Sequence, residues 1–225
     1  MKKLITILAA SALLTPFVFA SEQDQVDHAA NTIEQLQRMP DRGIPQRIMH
    51  NAKGFAILRV YKAAFGLSAR VGEGVVVART RNGWSGPAFI GTGGAGWGAQ
   101  VGAQATDFVF VLNTRRAVDA FSRGANLTLG GDVSATAGPL GRNVEGSLTP
   151  IAAVYTYSQS KGLFVGASLE GAVIGSRPDA NEAFYGYPVS ADAILGGQVR
   201  PPRAAAPLID ALANIGYGGG PLAQR

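Results

Sequence analysis

The chain of 225 residues has no cysteine and only two histidines, His28 and His50. Disulfides are therefore excluded, and a zinc or iron site would have to be assembled mainly from carboxylates. Nucleophilic catalysis of the Ser-His-Asp or Cys-His kind is poorly provided for as well. His28 falls in a polar stretch and His50 beside a basic one, so both are expected at the surface. Long apolar runs are also scarce. The longest, Leu4 to Leu14, follows Lys2 and Lys3 and leads through Thr15-Pro16 to a small-residue exit at Val18-Phe19-Ala20. That is the three-part pattern of a signal peptide, too short and too interrupted for a spanning helix. Residues 1–20 are thus expected to be removed and the protein exported, periplasmic or secreted. Ser21, not a cysteine, follows the cleavage point, so any membrane contact is peripheral and non-covalent.

A strong charge imbalance is missing too. Without Lys2 and Lys3 the chain holds 18 basic and 15 acidic residues, a net charge of +3. Nothing here calls for nucleic acid. The distribution is uneven, however. Between Arg38 and Arg70 stand Arg38, Arg42, Arg47, Lys53, Arg59, Lys62 and Arg70, with Asp41 as the only acid. Such a run is either a solvated face or an attractor of phosphate-bearing surfaces. At an anionic bilayer each cation contributes about 1 kcal/mol, so four give about 4 kcal/mol, a millimolar affinity. Useful binding needs apolar insertion in addition, for which Phe65, Trp84, Phe89 and Trp97 are the side chains to consider.

What the sequence does have is glycine, 30 residues of it. About 205 residues remain after Ala20, enough for one domain with a core of its own. Apolar residues recur at helical spacing from Asp24 to Met39 (Val26, Ala29, Ala30, Ile33, Leu36), and Pro40 ends the pattern. A short helix is expected from Pro45 to about Asn51. After Gly54 the texture becomes strand-like, at 70–79, 97–105 and 127–129, with a buried strand at Phe108 to Leu112. A hairpin is expected from strands at 152–157 and 163–169 joined by the polar turn 158–162. Helices return at 115–121, 178–184, 190–195 and 207–215, and 216–225 reads as a mobile tail. Glycines inside the strands (Gly72, Gly74, Gly98, Gly102, Gly166) point to strong curvature. The expected fold is α+β: a strongly curved, barrel-like antiparallel sheet with helices packed at its N- and C-terminal parts.

Two motifs resolve to structure. Gly91-Thr-Gly-Gly-Ala-Gly96 spells a dinucleotide fingerprint, but a strand pattern follows it where a helix is required. Thr106-Asp107 reads as a turn between strands. Asp107 and Glu170 are the carboxylates on which a hydrolase could be built, although no motif supports one.

The segments Ala52-Lys-Gly-Phe-Ala-Ile57, Gly72-Glu-Gly-Val-Val-Val-Ala78, Trp84-Ser-Gly-Pro87, Thr106-Asp107, Asn126-Leu-Thr-Leu-Gly-Gly131, Ala137-Gly-Pro-Leu-Gly-Arg142 and 160–171 are similar, in order and spacing, to the SYLF-domain family. The similarity runs from about Asn31 to Leu212 and frames 21–215 as one SYLF-like domain. It implies a non-enzymatic, cofactor-free phospholipid-binding module. Eukaryotic relatives bind phosphoinositides, some bind actin, and bacterial relatives are typically small exported proteins. The matching positions for contact with anionic headgroups are Lys53, Lys62, Arg70, Arg142 and Lys161, to which the local run adds Arg59. In one respect the chain departs from the family, because its first helix presents Asp24, Asp27 and Glu34 where a basic face would suit anionic lipid. The run from Arg38 to Arg70 would then supply the charge. Other functions compatible with the composition are a structural or interaction protein of the cell envelope and an outer-membrane barrel. The latter is disfavoured by the helical segments and by the ending Ala-Gln-Arg225.

Overall fold

The computed structural model of the protein describes residues 20–38, 46–122, 127–128, 136–137, 154–166, 169–170 and 173–216. Two helices open it, α1 (Glu22–Gln37) and α2 (Gln46–Asn51). Strand β1 (Gly54–Thr80), the short β2 (Gly83–Trp84) and β3 (Ala88–Leu112) follow, then α3 (Arg115–Ser122). Beyond it come β4 (Leu127–Thr128), β5 (Thr136–Ala137), β6 (Val154–Gly166), β7 (Leu169–Glu170) and β8 (Val173–Ser176). The chain returns to helix in α4 (Pro178–Tyr185), α5 (Ala191–Leu195) and α6 (Ala206–Ala213). The expected leader and tail fall almost wholly outside the described residues.

Helix α1 starts where its cap dictates. Ser21 Oγ accepts from the Asp24 N–H, and the Asp24 carboxylate accepts from the Ser21 N–H in return. This reciprocal box satisfies two donors that a helix start leaves open. Ser190 Oγ caps α5 with a single bond, accepting from the Ala193 N–H.

The fold is the expected mixture of helices and an antiparallel sheet, with helices at both ends of the chain. The sheet runs in the order β2-β1-β3-β6-β5 and is not closed; β5 on β6 is its one parallel pair among the described residues. β1 and β3 pair along nearly their whole lengths, from Gly54 opposite Leu112 to Val76 opposite Ala88. On its other edge β3 carries β6, β7 and β8 in succession. β1 also coils back on itself. The Arg79 N–H donates to the Lys53 carbonyl at 2.8 Å, and Gly72 and Gly74 of the second half press on the backbone at Arg59 and Ile57 of the first. A Cβ at Gly72 would lie 2.6 Å from the Arg59 carbonyl oxygen, and one at Gly74 would lie closer still to that of Ile57. Only glycine permits this approach.

Alternation along the strands splits the core between two faces. Phe55, Ile57, Val75, Val77, Phe89, Val109 and Val111 pack with Val26, Ala29 and Ile33 of α1 and Leu208, Ala211 and Leu212 of α6. Ala56, Leu58, Val76, Ala78, Ile90, Phe110 and Leu112 pack with Val118 and Phe121 of α3 and Ile194 and Leu195 of α5. The sheet thus lies between helical layers on both sides, which leaves these faces no lipid-facing band of the kind an outer-membrane barrel needs.

Two local expectations are corrected. Residues 158–162 form no turn: β6 is continuous, with Ser158 opposite Phe108 and Gly162 opposite Gln104. Thr106-Asp107 is no turn either, but the middle of β3. In both places polar residues suggest a loop, yet they lie on neighbouring strands and pair with each other. The segment 91–96 is strand, as the missing helix predicts.

Candidate functional site

The ends of the β1/β3 ribbon are buried between the helices, whereas its middle runs beyond them. Residues 61–70 of β1 are mostly exposed or half-buried, in contrast to the buried flanks 54–58 and 72–78. At the midpoint the register slips between Phe65 and Leu67, around Gly66 at φ +73°. A left-handed glycine in a bulge turns the strand sharply and drives its neighbours outward. Phe65 is 84% exposed, Leu67 75% and Val101, opposite Phe65, 51%. Three apolar side chains therefore stand in solvent at one tip of the ribbon.

Two of the sequence-predicted cations flank this tip. Lys62 stands opposite Gln104 and Arg70 opposite Gly94. The Lys62 ammonium is held below the usual lysine range, first by partial desolvation and then by the charge of Arg70, so the two share one neighbourhood. Partial burial lowers Arg70 as well.

Arg59 is differently employed. Its Nε and Nη2 donate to Asp107 Oδ1 and Oδ2 at 2.8 and 3.0 Å, a two-pronged ion pair between directly opposed residues. His28 Nε2 lies 2.9 Å from the same Oδ1, and Thr32 Oγ1 of the next helical turn lies 3.4 Å from that nitrogen. Burial alone would raise the Asp107 carboxyl, but the hydrogen bonds from His28 and Arg59 outweigh it and hold it at about 2. The cluster fastens α1 to the sheet. His28 is accordingly half-buried and paired rather than free at the surface, while His50 is exposed.

Beside it lies a cavity of about 100 Å³ bordered by Gln25, His28, Arg59, Tyr61 and Glu73. The Glu73 carboxylate accepts from the Ala20 N–H at 2.8 Å and from Gln25 Nε2 at 3.3 Å, with Arg177 Nη1 at 3.7 Å. Burial pushes its carboxyl up. Asp107, the carboxylate that a hydrolase would have used, is committed to Arg59 and His28, and Glu170 sits on β7 opposite Gly96. Among the described residues no group of three His, Asp or Glu side chains is placed to hold a metal ion.

Of the other predicted positions, Lys53 lies away from the tip, exposed just before β1 and beside Arg79, Arg81 and Arg115. Lys161 lies on β6 opposite Ala105. Arg142 lies outside the described residues. Of the aromatic side chains considered for insertion, Phe65 is exposed, Phe89 is fully buried and Trp84 packs against Phe55 at 5.6 Å, while the Trp97 side chain lies outside the described residues. Sequence reasoning missed Leu67 and Val101. Gly66 between Phe65 and Leu67 was the available signal, because an isolated glycine in a strand pattern marks a bulge.

Among the described residues no helix is long and apolar enough to cross a membrane. Residues 93–215 match the Ysc84 family, described as Las17-binding protein actin regulator. The chain is 48% identical over 182 residues to LAS seventeen-binding protein 3 of Saccharomyces cerevisiae, covering 79% of this chain and 40% of that protein. It is 48% identical over 169 residues to SH3 domain-containing YSC84-like protein 1 of Homo sapiens, covering 73% of this chain and 49% of that one. The chain therefore spans between two fifths and one half of the curated relatives it matches. No solved structure matches it significantly. With the family match covering more than half of the chain, the chain belongs to the Ysc84 family of SYLF-domain proteins.

Proposed function

We propose that this chain is a non-enzymatic module that binds anionic phospholipid surfaces through the tip of the β1/β3 ribbon. The observation that supports it is the exposure of Phe65 and Leu67 at a bulge flanked by Lys62 and Arg70. Burying an aromatic or aliphatic side chain contributes about 2 kcal/mol and each cation about 1 kcal/mol at an anionic surface. Two of each give about 6 kcal/mol, a dissociation constant in the tens of micromolar. That is reversible, peripheral binding, strengthened if several copies act together. Arg59 takes no part, since its guanidinium is committed to Asp107. The pattern of Met1 to Ala20 supports export to the periplasm or beyond, which N-terminal sequencing of the purified protein tests.

A second reading rests on the relatives. They are named LAS seventeen-binding and SH3 domain-containing proteins, and on this reading the same apolar tip seats a protein partner. Co-sedimentation with neutral and anionic vesicles across a salt series separates the two. Binding to anionic vesicles that weakens with salt and is abolished by Phe65→Ser with Leu67→Ser supports the lipid reading. Failure to bind any vesicle rejects it and leaves the tip to a protein.

A further inference from the structure

We infer that the cleft where the two ends of β1 meet is a second anion site, built for a compact phosphate-bearing ligand. It does not rest on the ribbon tip.

Two backbone hydrogen bonds assemble it. The Arg79 N–H donates to the Lys53 carbonyl at 2.8 Å, and the Lys53 N–H donates to the Leu112 carbonyl at 2.7 Å. The entry of β1, its exit and the end of β3 are thereby tied together, and α3 begins three residues after Leu112 with Arg115. The turn after β1 is fixed by Thr80, whose Oγ1 accepts from the Asn82 N–H at 3.2 Å and donates to the Gly83 carbonyl at 3.0 Å. The opposite wall is Gly196-Gly197, with Gly197 in the left-handed region at φ +75° and close against Thr80. The cleft is open to solvent and holds about 600 Å³, within the usual range of small-ligand sites.

Among the described residues its lining is cationic and without a carboxylate: Lys53, Arg79, Arg81 and Arg115, together with the Asn82 amide. Two of the cations are held in place by other contacts. Arg115 reaches Asp119 at 3.2 Å and the Leu195 carbonyl at 3.2 Å, and Arg79 stacks over Trp84 at 4.6 Å. Lys53 and Arg81 are exposed and have no carboxylate partner among the described residues. Arg115 is partly compensated by Asp119, but Lys53, Arg79 and Arg81 around the same concavity repel one another until an anion enters. Guanidinium forks match tetrahedral phosphate oxygens, and the ammonium adds a point charge. A flat acidic protein surface would not enter the concavity; a small phosphate compound or a phosphorylated headgroup would, and suits its charge.

The cleft and the tip are distinct. Phe65 lies twelve residues beyond Lys53 along β1, about 40 Å of extended strand. A bilayer that receives Phe65 and Leu67 therefore leaves the cleft to a separate binding event.

The test titrates the full chain with inorganic pyrophosphate at low and high salt. Trp84, beneath Arg79, is the reporter in a Trp97→Phe background, and calorimetry on the unmodified chain is the second readout. Saturable binding tighter than about 1 mM is expected. It should weaken at least about tenfold in Lys53→Gln with Arg81→Gln, and remain unchanged in Phe65→Ser with Leu67→Ser. Both cleft side chains are exposed, so the unfolding midpoint should hold. Vesicles carrying a phosphorylated inositol headgroup, compared with phosphatidylserine vesicles, identify the source. Loss of the former alone in the cleft variant assigns a lipid headgroup, and unchanged vesicle binding with lost pyrophosphate binding assigns a soluble phosphate. Absence of saturable binding, an equal response from the cleft variant, or binding of polyglutamate without pyrophosphate would overturn the inference.

Discussion

Asp107 on β3 grips Arg59, its directly opposed partner on β1, with both carboxylate oxygens, and receives His28 of α1 on one of them. Removing the carboxylate leaves a guanidinium and an imidazole without their acceptor in a partly buried place. Asp107→Ala should therefore lower stability by about 2–4 kcal/mol in urea unfolding. A wild-type midpoint would show that the cluster is dispensable. By the same logic Arg59→Glu is a folding defect, and its effect on lipid cannot be read as loss of a headgroup contact.

The same carboxyl sets an acid limit. Its folded value of about 2 is below the value of about 3.9 expected for an unfolded aspartate. Its contribution is thus complete above about pH 4 and is lost as pH falls towards 2. Asp107→Asn should flatten the stability profile between these values. An unaltered profile would contradict the assignment.

The coil of β1 depends on Gly74, where a methyl group would meet the Ile57 carbonyl oxygen. Gly74→Ala should cost about 3 kcal/mol or more, since backbone on both sides must move. Gly93→Ala on β3 meets nothing within 4 Å and should stay within about 0.5 kcal/mol. Equal thermal midpoints for the two variants would refute the close-packed coil.

Asn181 on α4 is wholly buried, and its Oδ1 accepts from the Phe89 N–H at 2.8 Å. Asn181→Ala abandons a strand donor inside the core and should lose about 1–3 kcal/mol. Hydrogen exchange at Phe89 reports it directly: protection there should fall, and unchanged protection would deny the contact.

At the ribbon tip, Lys62→Glu with Arg70→Glu should remove the salt-sensitive part of vesicle binding and leave any salt-resistant insertion through Phe65 and Leu67. Retention of the full salt dependence would place the charge contact elsewhere.

The helices were legible because prolines and spacing act locally: Pro178 opens α4, and the apolar stripe of α1 faces the core, whereas the capping serines Ser21 and Ser190 went unread. The strands were legible in kind but not in extent. Serines and glycines at 158–162, and Thr106-Asp107, look like loop formers until the partner strand is known; across from them stand Gln104 and Arg59, which turn a polar interruption into a paired one. The basic run could be counted but not folded. The bend of β1 sends Lys53 to one end of the sheet and Lys62 and Arg70 towards the other, and turns Arg59 to Asp107. It also recruits Arg79, Arg81 and Arg115, which no linear pattern joins to Lys53.

The meeting of α1 with α6 has a consequence for synthesis. Val26, Ala29 and Ile33 share a cluster with Leu208 and Leu212, and Gln37 Nε2 donates to the Ala211 carbonyl at 2.9 Å. Among the described helices, the first made is completed by the last. At a synthesis rate of about 5–20 residues per second, its oily side waits on the order of 10–35 seconds for that cover. In this interval the nascent protein is a client for whatever shields apolar helices, and a chain stopped short of Pro207 would remain one.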